Sequence, residues 1–237
     1  MKYLVIGDLH IGSPYFQREA FLEGLERLRP EVDLVLAGDV VDDPFQHLGE
    51  KDQQVVDRLR RESVHRRVVW INGNHDDGFR PEPSARLVFT QSFPIDTNLL
   101  VTHGADFDGV MPRNRWFLRL FRILHGLRIF FGAHPVHVAT YAKRWKRLYR
   151  FLRKNVMLNA VQRAKELGFS AVACGHVHFA EDRSVEGIRY LNLGAWLESP
   201  LFCLLVDGSR MLFLSRSEAL NRITWFCGAQ ERPVILS

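Results

Sequence analysis

The chain has 237 residues, of which 46% are hydrophobic, 11% aromatic and 25% charged. This composition excludes a disordered protein and is enough for one domain with a substantial core. The net charge of +5 suits an anionic partner such as a phosphate substrate, a nucleic acid or an acidic lipid surface, although a merely basic protein would carry it too.

In chain order, YLVIG (3–7) reads as a buried strand, and FQREAFLEGLERLR (16–29) places apolar residues at helical spacing before Pro30 ends it. DLVLAG (33–38) predicts a strand, residues 48–63 a helix, and RVVWING (67–73) a strand. RLVFTQSF (86–93) and TNLLVTHG (97–104) predict two strands joined by a turn. Residues 112–167 differ, being helical in pattern and rich in Arg, Lys and aromatics. Strands resume at SAVACGH (170–176), RYLNLGAW (189–196), LFCLLVDG (201–208) and MLFLSRS (211–217), with VDGSR (206–210) as a hairpin turn. The βαβα rhythm argues for an α/β architecture in one domain, 1–237, with residues of about 112–167 inserted as a helical cap.

Polar segments follow the apolar strands: GDLH (7–10), GDVVDD (38–43), GNHD (73–76), THG (102–104) and GHVH (175–178). Strand ends in α/β sheets are where ligand-binding groups converge. Each segment alone is compatible with a turn, a cap or a core histidine. Together, at successive strand ends, they point to a metal site. In Asp8-x-His10 and His176-x-His178, residues i and i+2 leave a strand facing the same way. Carboxylate and imidazole donors suit Mn²⁺, Fe²⁺ or Zn²⁺, and the two oxygens of Asp39 allow it to bridge two ions. If the histidines ligate, Asp42 and Asp43 are expected to hydrogen-bond them, and Asp76 is expected to orient His75 or anchor its loop.

The order D-x-H, G-D-x-x-D, G-N-H-D, H-G, G-H-x-H resembles that of the calcineurin-like metallophosphoesterases over roughly residues 1–217. The resemblance implies a four-layer α/β/β/α sandwich and two divalent metal ions, with Mn expected and Fe or Zn as alternatives. It implies that Asp8, His10, Asp39 and His178 hold one ion, and that Asp39, Asn74, His103 and His176 hold the other. His75 would stand beside the ions as a catalytic group that steadies the transition state or protonates the leaving oxygen. Two such ions generate a nucleophile from water and neutralise phosphoryl charge.

The insertion bears on the substrate. In RNRWFLRLFRILHGLRIFF (113–131), Arg115, Arg119 and Arg122 form one helical stripe on a very apolar helix, and YAKRWKRLYRFLRKN (141–155) is a second basic, aromatic stretch. One reading is a lid that takes acyl chains and rests on an anionic membrane; the other is two helices packed together with Arg and Lys outside. HGxxFD (103–108), VMPRNRW (110–116), CGHVHFAED (174–182) and YLNLGAWLES (190–199) resemble the UDP-2,3-diacylglucosamine hydrolases. That implies cleavage of a lipid-linked pyrophosphate to a lipid monophosphate and UMP at the cytoplasmic membrane face, with Asn74, Arg113 and Asn114 positioning the phosphates. The chain departs from that branch at Ala105 and Ala195, where Asp is usual. Another nucleotide, a phosphoprotein or a nucleic-acid end is an alternative substrate, and a scaffold with a degenerate metal site a third reading.

Cys174, Cys203 and Cys227 form no metal or disulfide pattern, so a reducing, cytoplasmic setting is expected. Met1 and Lys2 lead straight into the first strand with no secretory pattern, and no apolar run approaches the roughly 18–20 residues of a membrane span.

Overall fold

The computed structural model describes residues 1–82, 84–110 and 115–222, apart from the side chains of 115–122 and 138–139. The first half runs β1 (Lys2–Ile6), α1 (Arg18–Arg27), β2 (Val32–Ala37), α2 (Glu50–His65), β3 (Val68–Ile71) and β4 (Leu87–Thr90). There follow β5 (Ser92–Ile95), β6 (Leu99–Thr102), a 3-10 turn (Ala105–Phe107), α3 (Arg115–Phe130), α4 (Val138–Ala142) and α5 (Lys146–Leu167). The chain continues through β7 (Ala171–Cys174), β8 (Glu181–Val185), β9 (Ile188–Asn192), β10 (Phe202–Asp207), β11 (Arg210–Ser215) and α6 (Arg216–Leu220).

Two sheets result, ordered β11-β10-β1-β2-β3-β4 and β5-β6-β7-β9-β8. Strands β1 to β4 are parallel neighbours in the first, as are β6, β7 and β9 in the second. Period-two alternation explains the layering. Tyr3, Val5, Val35, Ala37, Val69 and Ile71 face the second sheet, meeting Leu99, Val101, Ala171, Ala173 and Leu191 in a dry interior. The intervening Leu4, Ile6, Leu34, Leu36 and Trp70 face outward and pack on Phe21 and Leu25 of α1 and Val55, Val56 and Leu59 of α2. On the far side, Leu100, Val172 and Cys174 pack on Val156, Met157, Ala160, Val161 and Ala164 of α5. The layers are therefore helix, sheet, sheet, helix, the four-layer α/β/β/α arrangement.

Three details differ from the sequence reading. The run 86–93 is two strands in different sheets, with β4 beside β3 and β5 beside β6. The chain crosses between sheets at Gln91, where the Thr90 hydroxyl donates to the Ser92 carbonyl at 2.8 Å. Strand β8 was not expected, because EDRSV has no apolar alternation; it is an edge strand paired only with β9. The stretch 112–167 also divides. The second half of α5 forms the outer layer over the second sheet, so only α3, α4 and the start of α5 stand beyond the sandwich.

Candidate metal centre

Asp8 and His10 follow β1, Asp39 follows β2, and Asn74 and His75 follow β3, all at the C-terminal edge of the first sheet. His103 follows β6, and His176 and His178 follow β7, at the matching edge of the second. The loops are stitched together by main-chain bonds: Asp8 N–H to Gly38 O (3.1 Å), His10 N–H to Asp39 O (2.9 Å) and Gly175 N–H to His103 O (2.9 Å).

The backbone there is strained. Seven non-glycine residues among those described have φ in the left-handed region, and five of them are Asp8, His10, Asp39, His176 and His178. Such conformations cost about 1–3 kcal/mol each and collect at functional sites. Two glycines are required by close approach. A Cβ on Gly175 would collide with the Asp8 carboxylate, and one on Gly73 with Asp39.

The donor atoms fall into two groups that share Asp39. Asp8, His10, Asp39 and His178 are buried, and one ligand atom from each lies within 4.8 Å of the others. His178 Nε2 is 3.2 Å from Asp8 Oδ1 and 3.2 Å from His10 Nε2. In the other group, Asn74 Oδ1 is 3.1 Å from His103 Nε2 and 3.2 Å from His176 Nδ1. Asp39 Oδ2 reaches both groups, 3.8 Å from His10 Nε2 and 3.3 Å from His103 Nε2.

Hydrogen bonds on the outer ring nitrogens set which inner nitrogens carry lone pairs. Carbonyls and carboxylates only accept, so the histidine N–H must donate to them. His10 Nδ1–H donates to Asp42 Oδ1 (2.9 Å), His103 Nδ1–H to Ala37 O (3.2 Å) and His176 Nε2–H to Asp108 Oδ2 (3.1 Å). The neutral rings then aim lone pairs at carboxylate and amide oxygens. Acceptors facing acceptors in a buried site need a proton or a metal cation between them. The electrostatics register the same imbalance. Burial pushes the His103 imidazolium down, yet the nearby Asp39 carboxylate outweighs it and raises the pKa to about 9. Burial likewise works against the Asp39 anion, but His103, His75 and His10 hold its carboxyl below the usual range. The chemistry of the donor set thus fits divalent metal ions.

His75 is fixed on both sides: its N–H donates to Asp39 Oδ1 (2.9 Å) and its Nδ1–H to Asp42 O (2.6 Å), leaving Nε2 clear of these bonds. Its ring centroid is 4.9 Å from that of His10. Asp76 does not orient His75. It anchors the loops, accepting from Val40 N (2.8 Å), Val41 N (2.9 Å) and Gly73 N (2.9 Å). Asp42 meets the expectation of a carboxylate behind a histidine, but Asp43 does not, because it accepts from Phe45 N within its own turn at 2.9 Å.

Two residues were missed. Asp108 backs His176; its signal was the last letter of HGxxFD, five residues beyond His103. Ala105 leaves no carboxylate at its own position, and Asp108 supplies one from the next turn. His137, from the segment before α4, lies over His10 and His178, with centroids 5.6 and 5.7 Å away. Nothing local in HPVH marked it. Arg113 and Asn114 lie outside the described residues, as does Cys227.

The insertion is tied to this edge. Tyr149 Oη–H donates to Val177 O (2.5 Å), between the two histidines of the GHVH loop. Arg153 pairs with Glu181 (2.6 Å) and covers the Phe179 ring at 3.3 Å. Thr140 and Lys143 both bond Glu198.

Residues 1–180 match the model of the calcineurin-like phosphoesterase family. No curated protein sequence matches the chain. Among solved structures, vacuolar protein sorting 29 from Cryptosporidium parvum is 15% identical, with 90% of this chain and 95% of that one covered and a TM-score of 0.47. Yfce, a phosphoesterase from E. coli, is 17% identical, with 92% and 94% covered and a TM-score of 0.46. Wild-type Vps29 of Entamoeba histolytica complexed with Zn²⁺ is 16% identical, with 91% and 99% covered and a TM-score of 0.42. With the family match spanning most of its length and a buried aspartate–histidine donor set at the sheet edges, the chain belongs to the calcineurin-like phosphoesterases.

Proposed function

We propose that this chain is a two-metal phosphoesterase that hydrolyses the pyrophosphate of UDP-2,3-diacylglucosamine or a similar lipid-linked nucleotide. The observation that carries the two-metal part is Asp39 Oδ2, which faces both histidine groups. Asp8, His10, Asp39 and His178 would hold one ion, and Asp39, Asn74, His103 and His176 the other. When bound, such ions supply an activated water and neutralise charge on the phosphoryl oxygens. Mn²⁺ is the ion we expect, and Fe²⁺ or Zn²⁺ would suit the same donors.

The chain's own groups do the rest. Asp42 and Asp108 keep the inner nitrogens of His10 and His176 deprotonated and aimed inward. Asp42 O and Asp39 hold His75 so that Nε2 is the nitrogen left to donate to a phosphoryl or leaving oxygen. The sandwich and its insertion act as one catalytic domain with a lid.

The lipid part rests on the insertion. Phe130 and Phe131 at the end of α3 are 82% and 80% exposed, and Ile123 and Leu127 are also exposed. Arg144, Lys146, Arg147 and Arg150 are exposed nearby in sequence. Apolar side chains alongside basic ones suit acyl chains at an anionic bilayer surface. From these exposed residues we propose peripheral association at the cytoplasmic face of the inner membrane; among the described residues no helix is long and apolar enough to cross a membrane.

The test is hydrolysis of UDP-2,3-diacylglucosamine by chelator-free protein with Mn²⁺. We expect UMP release that depends on acyl chains and is lost in His10→Ala. Activity indifferent to acyl chains rejects the lipid substrate. Steep salt-dependent binding to oligonucleotides, with none to lipid, would instead support a nucleic-acid end as substrate.

A further inference from the structure

Three of the inward-facing histidines have their outer nitrogen held by a hydrogen bond: His10 by Asp42, His103 by the Ala37 carbonyl and His176 by Asp108. His178 differs. Its Nε2 faces Asp8 and His10, and its Nδ1 is buried with no hydrogen-bond partner among the described residues. A ligating imidazole without such a bond has nothing of that kind to fix its plane.

What His178 has instead is a ring packed over its face. His137 stacks on His178 with centroids 5.7 Å apart and planes at 25°. His137 is itself bracketed by His10 at 5.6 Å and by Tyr15, nearly perpendicular to it, at 5.9 Å. These separations fall in the range for favourable ring pairs. His137 belongs to the insertion. Its carbonyl accepts from Tyr141 N in the first turn of α4 (3.1 Å), and α4 is held to the sandwich through Glu198. The segment leading to it is braced from α3, where His125 Nε2–H donates to Val136 O (3.0 Å) and Arg128 to His134 O (3.0 Å).

We infer that His137 is a positioning residue for the metal centre, orienting His178 by ring stacking and so linking the insertion to the ion held by Asp8, His10, Asp39 and His178. The inference rests on the two-metal reading. It means that the insertion helps to build the centre as well as to select the substrate.

The experiment is Mn²⁺ titration of chelator-treated full-length protein by calorimetry, comparing wild type, His137→Ala and His137→Phe, with a thermal melt to show that each variant folds. Loss of an outer-shell partner costs ~10–100-fold in metal affinity. We expect about tenfold weaker binding at one of two sites in His137→Ala, at the low end of that range. His137→Phe, which keeps a flat ring, should bind within about twofold of wild type, because stacking needs no nitrogen. If wild type takes up two ions and the alanine variant binds them equally well, this inference falls alone. If phenylalanine is as damaging as alanine, stacking is not the means and the inference falls as well. If wild type takes up no Mn²⁺, the two-metal reading falls and takes this inference with it.

Discussion

The sheet edge and the insertion are built on opposite terms. At the edge, Asp8, His10, Asp39 and His103 are buried, and three of these four have left-handed backbones held by bonds from neighbouring loops. In the insertion, Phe130 and Phe131 project from the end of α3, and α4 is held to the sandwich by side chains such as Thr140 and Lys143. The edge concentrates strain and charge where rigid strands can bear them. The insertion leaves apolar area in water, which is expensive unless something covers it. A buried polar sheet edge and an exposed apolar insertion are thus two separate structural devices, which meet at the GHVH loop through Tyr149 and at His178 through His137.

The largest effect should come from the edge. Asp39→Ala removes the carboxylate facing both groups and should reduce hydrolysis of bis-p-nitrophenyl phosphate by ~10³-fold or more, from several kcal/mol of lost stabilisation. Gly175→Ala should be nearly as severe, because the added Cβ displaces the Asp8 carboxylate. Retained metal content and activity in that variant would show that the edge tolerates movement and would dissolve the contrast.

The next effect sharpens it. Asp108→Ala leaves the outer nitrogen of His176 without its acceptor and should cost ~10–100-fold in activity and metal affinity. If Asp108→Ala behaves as wild type, the second histidine group is positioned by something other than its hydrogen bond.

The insertion should give the opposite signature. Phe130→Ser with Phe131→Ser should leave bis-p-nitrophenyl phosphate hydrolysis unchanged while weakening binding to anionic phospholipid vesicles about tenfold, since each ring buries 1.5–3 kcal/mol of apolar surface on full transfer and these would transfer only in part. Equal vesicle binding by both proteins would remove the membrane from the account.

The smallest effect concerns the tether at Glu198. Burial pushes its carboxyl up, but the bonds from Lys143 and Thr140 outweigh this and hold it below its ordinary value near 4.5. A depressed carboxylate contributes its full stabilisation above that ordinary value, and the contribution is lost as pH falls through the lower folded value. Hydrogen exchange in α4 should therefore be independent of this group near neutrality and accelerate, beyond the intrinsic pH trend, as acid is added below about pH 4.5. Glu198→Gln should abolish that acid-dependent step.

How much of this was legible in the sequence follows the same divide. The strand ends announced themselves, because a buried parallel strand reads as an apolar run and the polar residue after it falls at the sheet edge. The seven expected donors do come together in space. The crossing at Gln91 was hidden because RLVFTQSF is one unbroken β-rich run, and only pairing partners divide it. The Arg- and aromatic-rich start of α5 points to a cap, although Val156, Met157, Ala160, Val161 and Ala164 carry the spacing of a core-facing helix. Asp43 looked equivalent to Asp42, and only the turn geometry separates them. His137 could not be found, since its meaning is its distance from His178, which no local pattern encodes.

Elemental analysis of protein purified without chelators, on wild type, Asn74→Ala and Asp39→Ala, reads the two-metal centre itself. Two divalent ions per chain are expected in wild type, one in Asn74→Ala and neither retained stoichiometrically in Asp39→Ala. Metal-free wild type, or an Asp39→Ala variant that keeps both ions, would contradict it.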